Sequence, residues 1–168
     1  VGTYEELVAR GGRFAELAAR DDGLPLESPE QVLTLASIVE KETTPGEHRQ
    51  VASVFVNRLR KGMKLQSDPT VIYGITLGQG PLGRGIRQSE LEAETPYNTY
   101  VIDGLPPTPI ANPGRDALAA VLNPPATKEL YFVADGTGGH VFAETYEQHA
   151  RNVERWRAIE RERAGGGR

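Results

Sequence analysis

Residues 28–46 read SPEQVLTLASIVEKETTPG, and this stretch decides the fold. Ser28 is a natural side-chain cap. Pro29 suits the first helical position, where a missing N–H costs nothing, and Gln31 completes a capping pattern. Pro45-Gly46 stops whatever precedes it. Between these signals the spacing predicts a helix over 29–43. On a wheel at about 100° per residue, Val32, Leu33, Leu35, Ala36, Ile38 and Val39 form one apolar arc, with Thr34, Ser37 and Lys41 opposite. Glu40 breaks the pattern. It falls inside the arc, stacked over Ala36 and Leu33.

A carboxylate on an apolar face is costly when it is ionised and unpaired. Burial there favours the neutral form, and the negative end of the helix dipole works in the same direction. Both effects suit a general acid that must hold a proton near neutral pH. The alternative is that Glu40 pairs with an arginine and only holds the helix in place. Glu42 points about 160° away on the same wheel. It is read as structural, because two carboxylates so placed cannot flank one bond from the same side. A paired-carboxylate glycosidase needs its second acid from elsewhere, and Asp68 is the candidate.

Working outward, a second helix is expected from about Gly46 to Lys61, stopped by Gly62. Arg58 lies in its apolar arc among Val51, Val54, Phe55 and Leu59, so a carboxylate partner is expected, Glu42 or Asp68. Asn57 points away from that arc. Met63–Gln66 reads as extended. Asp68-Pro69 reads as an N-cap and first-turn pair opening a short helix through Tyr73. Five glycines fall in 74–85, which reads as a mobile loop. A short helix at 88–94 leads to Tyr97-Asn98-Thr99-Tyr100. Residues 103–114 form a Pro/Gly-rich loop, and Asn112-Pro113 is expected to cap the helix that follows.

Leu130–Ala134 and His140–Ala143 read as a β-hairpin around Asp135-Gly136-Thr137-Gly138-Gly139. A charged helix follows, from about Thr145 to Arg163. A helical lead-in occupies residues 1–27, with a helix over 3–21, and 164–168 reads as a disordered tail. Helices dominate and the strands are few, so the fold class is α+β: one helix-rich domain over 28–163 with a small antiparallel hairpin.

The 168 residues carry a net charge of −4 with no dense basic run, which argues against nucleic acid as a partner. The chain has no cysteine, so disulfides and thiolate chemistry are excluded. The three histidines are scattered; His48 and His149 read as exposed helix residues, and no metal site is expected. The glycine-rich segments lack a strand–GxGxxG–helix context, and no cofactor is expected. No apolar run approaches the ~18–20 residues of a membrane-spanning helix, and no signal peptide opens the chain. Val1 is not an initiator methionine, so the sequence reads as a trimmed piece.

The strings LTLASIVEKET (33–43), VASVFVNRLRKGMKLQSDPTVIYGI (51–75), PYNTYVIDGLPPTPIANPG (96–114) and LYFVADGTGGHVF (130–142) together resemble the endolytic murein lytic transglycosylases, the YceG-like family. The resemblance covers roughly 24–153, with several long motifs in the family's order. It implies cleavage of the β-1,4 bond between N-acetylmuramic acid and N-acetylglucosamine within peptidoglycan strands, leaving 1,6-anhydro-muramic ends. It implies that Glu40, the first glutamate of IVEKET, is the catalytic acid/base.

In such a reaction the sugar's own C6 hydroxyl attacks C1, so no second carboxylate is obligatory and the nucleophile gains from its high effective concentration. Gln66, Asp68, Asn98 and Tyr100 lie in the best-matching motifs and carry groups suited to sugar hydroxyls and N-acetyl groups. Tyr73, with Tyr97 and Tyr100, offers stacking faces, and His140 is a further candidate for the cleft. The resemblance also implies an extracytoplasmic or periplasmic location and action on nascent strands, with peptidoglycan synthases as candidate partners. Members carry an N-terminal membrane anchor and a LysM-like module ahead of this region, so membrane attachment is expected only through such an anchor. Two other readings stay open: a muramidase-type hydrolase that uses Asp68 to direct water, and a non-catalytic glycan-binding scaffold.

Overall fold

The structure is a computed structural model, and it describes residues 23–166. The expected helix over 3–21 and the last two residues lie outside the described residues. Helix α1 spans Pro29–Glu42. The Ser28 hydroxyl accepts from the Gln31 N–H at 3.3 Å. The Gln31 side chain reaches back to the Glu27 N–H at 2.8 Å, one residue earlier than a standard capping box would have it.

Helix α1 is covered on more sides than its wheel suggests. Thr34 and Ser37, drawn as the polar face, are 4% and 0% exposed. Their burial is tolerated because each hydroxyl finds a carbonyl: Thr34 donates to Glu30 O and Ser37 to Thr34 O. The Ser37 oxygen also accepts from the Ile110 N–H at 3.0 Å. The Pro-rich loop therefore packs over the side of α1 that periodicity assigns to solvent.

A 3-10 turn, Pro45–Glu47, leads into helix α2, His48–Lys61. Gly62 takes a left-handed conformation (φ 70°), which glycine adopts without a Cβ clash. Bonds from Gly62 N–H to Leu59 O and from Met63 N–H to Arg58 O close the helix end. Helix α3 spans Asp68–Thr76, α4 spans Gln88–Glu92 and α5 spans Arg115–Leu122. Helices α1, α2 and α5 pack on one another. Leu35, Ile38, Val39, Val51, Val54, Phe55, Ala117 and Val121 lose almost all contact with solvent there. Full burial of each large apolar side chain is worth about 1.5–3 kcal/mol, so this three-helix core fixes where the ends of α1 and α5 lie.

Several boundaries differ from the sequence pattern, each for a local reason. The cap of α3 is Ser67, and Asp68 is its first helical residue. The Asp68 carboxylate is taken by the Tyr100 hydroxyl instead. Residues 63–66 form no strand, and Gln66 has φ 52°. Helix α3 runs three residues past Tyr73, to Thr76, and α4 stops at Glu92. Asn112-Pro113 lies ahead of α5, whose cap is Gly114. At α4 the Glu90 carboxylate accepts from the Arg84 guanidinium and the Arg87 N–H, which hold its pKa down at about 2.

The chain divides into two compact units, one through Pro125 and one from Ala126 onward. The boundary falls inside the stretch that the sequence reads as one domain. In the second unit, β1 (Tyr131–Ala134) pairs antiparallel with β2 (His140–Ala143), with Phe132 opposite Phe142 and Val133 opposite Val141. Asp135 accepts from both the N–H and the hydroxyl of Thr137, which shapes the turn. Helix α6 spans Tyr146–Gly165, capped by Thr145, and packs on both strands. It is helical to Gly165, beyond the point where the sequence suggests fraying. The described fold is α+β, with six α-helices and one two-stranded sheet.

Candidate active site

Glu40 lies in the last turn of α1, and its side chain is 33% exposed. Burial is thus partial: the apolar arc carries the residue to the edge of the core, not into it. One carboxylate oxygen, Oε1, accepts from the Gly114 N–H at 3.3 Å. The other, Oε2, lies 3.5 Å from His48 Nε2. Among the described residues no arginine pairs with it. The reading in which Glu40 serves as half of an arginine ion pair therefore loses its partner.

Gly114 leaves room for this approach. A Cβ at that position would sit 3.2 Å from Glu40 Oε1. The backbone of Gly114 is ordinary (φ −76°), so its lack of a side chain matters here for space rather than for conformation. As the cap of α5, Gly114 presents an N–H that has no partner within that helix. The carboxylate of one core helix thus meets the start of another.

Glu42 diverges as its place on the wheel requires. It accepts from the Ser67 hydroxyl at 2.6 Å. Beside it lies a second group of polar residues. Tyr100 donates its phenol proton to Asp68 Oδ1 at 2.6 Å. Burial, then this hydrogen bond, pushes the Tyr100 pKa up, so the phenol stays protonated. Arg58 is buried and directs its donors to Lys64 O at 2.9 Å and Leu65 O at 3.4 Å, reaching Gln66 Oε1 at 3.5 Å. Gln66 and Asp68 are exposed, and Tyr100 is half-buried.

Asn98 occupies a different position from the one expected of a sugar ligand. It is fully buried. Its Nδ2 donates to the carbonyls of Glu90, Leu91 and Ala93 at 2.8–3.1 Å, and its Oδ1 accepts from the Tyr100 N–H. Both ends of the amide are used to hold the loop that carries Tyr100. Thr99 does similar work: its hydroxyl accepts from the Ser67 N–H at 2.8 Å and meets the Thr70 hydroxyl at 2.8 Å. Three successive residues thus tie one loop to α4, to the start of α3 and to Asp68.

Tyr73 packs edge-to-face on Tyr97 with ring centroids 4.9 Å apart, and the Tyr97 hydroxyl meets Thr108. The polar contacts of Glu40 include none of Gln66, Asp68, Tyr73 or Tyr100. His140 begins β2 in the second unit, where its ring stands edge-on to Phe132. His149, expected to be exposed, is half-buried against Tyr131.

His48 is the residue that sequence reasoning missed. It is expected on an exposed face, yet it is 2% exposed. Its Nε2 lies 3.1 Å from Thr43 O as well as near Glu40. The spacing carries the signal: His48 precedes Val51, Ala52 and Phe55 at the i+3, i+4 and i+7 positions of one helical face. An open cavity of about 550 Å³ lies beside it, lined by Pro45, His48, Arg49, Asp116, Ala119 and Asn123 among others. Glu40 does not line that cavity. Among the described residues no His, Asp and Glu side chains gather into a metal-binding group, and no helix is long and apolar enough to cross a membrane.

The sequence pattern of the YceG-like family matches residues 3–155. An endolytic murein transglycosylase of Bacillus subtilis is 42% identical over 130 residues, which cover 77% of this chain and 35% of that protein. One from Streptococcus pneumoniae is 42% identical over 130 residues, covering 73% of this chain and 23% of its own length. The chain thus spans about a third or less of these relatives. A crystal structure of a yceG-like protein from Listeria monocytogenes superposes with a TM-score of 0.68 at 37% identity, covering 85% of this chain and 44% of that one.

Proposed function

The chain belongs to the YceG-like family, and on that premise we propose that it cuts peptidoglycan strands as an endolytic lytic transglycosylase with Glu40 as its acid/base. The observation that carries this reading is the Glu40 carboxyl group itself. It is partly exposed, free of any arginine among the described residues, and held by a backbone N–H at the start of α5.

The chemistry follows from one such group. Glu40 passes its proton to the glycosidic oxygen between N-acetylmuramic acid and N-acetylglucosamine as the C1–O bond breaks. The resulting carboxylate then takes the proton of the C6 hydroxyl of the same muramic acid, whose oxygen closes on C1. Glu40 ends protonated, as it began. The bond broken is replaced by the 1,6-anhydro bond, and no water is consumed. The Gly114 N–H favours the carboxylate that forms as the proton leaves.

Gln66, Asp68 and Tyr100 are placed in this proposal as groups that hydrogen-bond the glycan, and Tyr73 as a ring face. Asn98 acts from behind, by holding the Tyr100 loop. Asp68 shares its carboxylate with the Tyr100 hydroxyl, and no observation favours it as the water-directing base of a hydrolase. Since peptidoglycan lies outside the cytoplasmic membrane, the proposed site of action is extracytoplasmic. Attachment through an N-terminal anchor and coupling to peptidoglycan synthases belong to the same proposal.

The test is digestion of purified glycan strands followed by mass spectrometry. Anhydro-ended fragments, one water lighter than reducing-ended ones, are expected from the native chain and not from Glu40→Gln. Reducing ends alone would make it a hydrolase. Strand binding without cleavage would make it a scaffold.

A further inference from the structure

We infer that His48 is a positioning residue for Glu40, its Nε2–H holding both the end of α1 and the flank of the carboxyl group. The inference rests on the reading of Glu40 as the acid/base. Three observations carry it.

His48 Nε2 faces two oxygens, Thr43 O at 3.1 Å and Glu40 Oε2 at 3.5 Å. A backbone carbonyl can only accept, so Nε2 carries the hydrogen. The Thr43 carbonyl takes the hydrogen bond. The carboxyl oxygen lies beside it, at a distance that suits attraction between the N–H dipole and developing negative charge rather than a second full bond.

The other ring nitrogen, Nδ1, is buried and has no hydrogen-bond partner among the described residues. An unanswered N–H is rarer in proteins than an unanswered acceptor, so Nδ1 holds a lone pair and the tautomer is fixed by its surroundings. A buried nitrogen without a partner costs free energy that an apolar side chain of similar size would not. Its burial at the start of α2 points to a use for the opposite nitrogen.

The geometry supplies that use. Thr43 caps α1 in an extended conformation (φ −155°), and Glu40 lies three residues before it. Tying Thr43 O to the buried imidazole fixes the last turn from which the Glu40 side chain springs. Gly114 N–H and His48 Nε2 then stand on different oxygens of one carboxyl group. The rotation of that group is held from both sides while about a third of the side chain stays open to a substrate.

The experiment compares His48→Leu, which fills the space without a donor, with His48→Gln, whose amide nitrogen reaches the position of Nε2. On glycan strands His48→Leu is expected to lose about ten- to hundredfold in kcat, as for a misplaced catalytic group, with KM little changed. His48→Gln is expected to recover most of the loss. A folded His48→Leu chain with native kcat would overturn the inference, as would a His48→Gln chain no better than His48→Leu.

A second measurement is independent of activity. Nitrogen-15 spectra of the imidazoles in the native chain are expected to show His48 as the Nε2–H tautomer, with its Nε2 signal moving on Glu40→Gln. An Nδ1–H tautomer, or a signal that ignores Glu40→Gln, would overturn the inference whatever the activity. Absence of cleavage by the native chain, with the Nε2 signal behaving as expected, would instead remove the glycan-cleaving reading and leave the contact standing.

Discussion

Glu40 Oε1 accepts a hydrogen bond from the Gly114 N–H at 3.3 Å, across 74 residues of sequence. This contact joins the last turn of α1 to the residue that caps α5. A side chain at position 114 would crowd it. A Cβ would come within 3.2 Å of the same oxygen.

Gly114→Ala is therefore expected to displace the carboxyl group without unfolding the chain. The backbone at 114 suits alanine, so the change in stability is expected within about 1 kcal/mol. Loss of an aligned donor worth about 1.4 kcal/mol lowers kcat roughly tenfold. Steady-state kinetics beside a denaturation curve check both. Native kcat in Gly114→Ala would show that the contact does not serve the reaction.

Glu40→Gln keeps the size of the side chain and removes its acid. The amide that replaces the carboxyl group still offers an oxygen to Gly114, so the melting temperature is expected to change little. Cleavage is expected to fall by roughly 10²–10⁴ or more, the usual contribution of a general acid/base. Strand cleavage measured beside a thermal melt checks both, and a variant that cleaves like the native chain would remove Glu40 from the chemistry.

Asn98→Ala is expected to act on stability first. Four hydrogen bonds end on this buried amide. Their removal leaves carbonyls unanswered and costs about 2–4 kcal/mol, measurable by urea unfolding. If Asn98 instead bound the glycan directly, the variant would bind strands poorly with its stability intact.

Tyr100 makes a prediction about alkaline pH. Its pKa is raised in the folded chain by burial and by Asp68. The folded state therefore holds this proton more tightly than the unfolded state does. The stabilisation is fully present below the unfolded value of about 10 and is lost as pH rises through the folded value. Melting temperatures taken across alkaline pH are expected to fall above about pH 10, and Tyr100→Phe is expected to lessen that fall. An equal slope in both chains would mean that Tyr100 does not carry the effect.

The parts of this fold that are legible in sequence are those set by local chemistry. Ser28 and Pro29 announce the start of α1, Gly62 the end of α2, and Asp135 through Gly139 the hairpin turn. The burial of Thr34 and Ser37 is not legible, because it depends on Ile110 arriving from a distant loop. Asp68 reads as a cap and is not one for the same reason: Tyr100, 32 residues on, claims its carboxylate. At the candidate site, Glu40 stands out because a charge interrupts an apolar arc. Gly114 gives no local sign, since its purpose lies in a contact between two helices. His48 does give a sign, its place on the apolar face of α2, which a polar residue at a helix start readily obscures.

In the proposed reaction one carboxyl group directs an attack by the substrate's own hydroxyl. Digestion of purified glycan strands in oxygen-18 water tests it most directly. New muramic ends are expected to carry no label and to be one water lighter than reducing ends. Incorporation of oxygen-18 at C1 of those ends would contradict it.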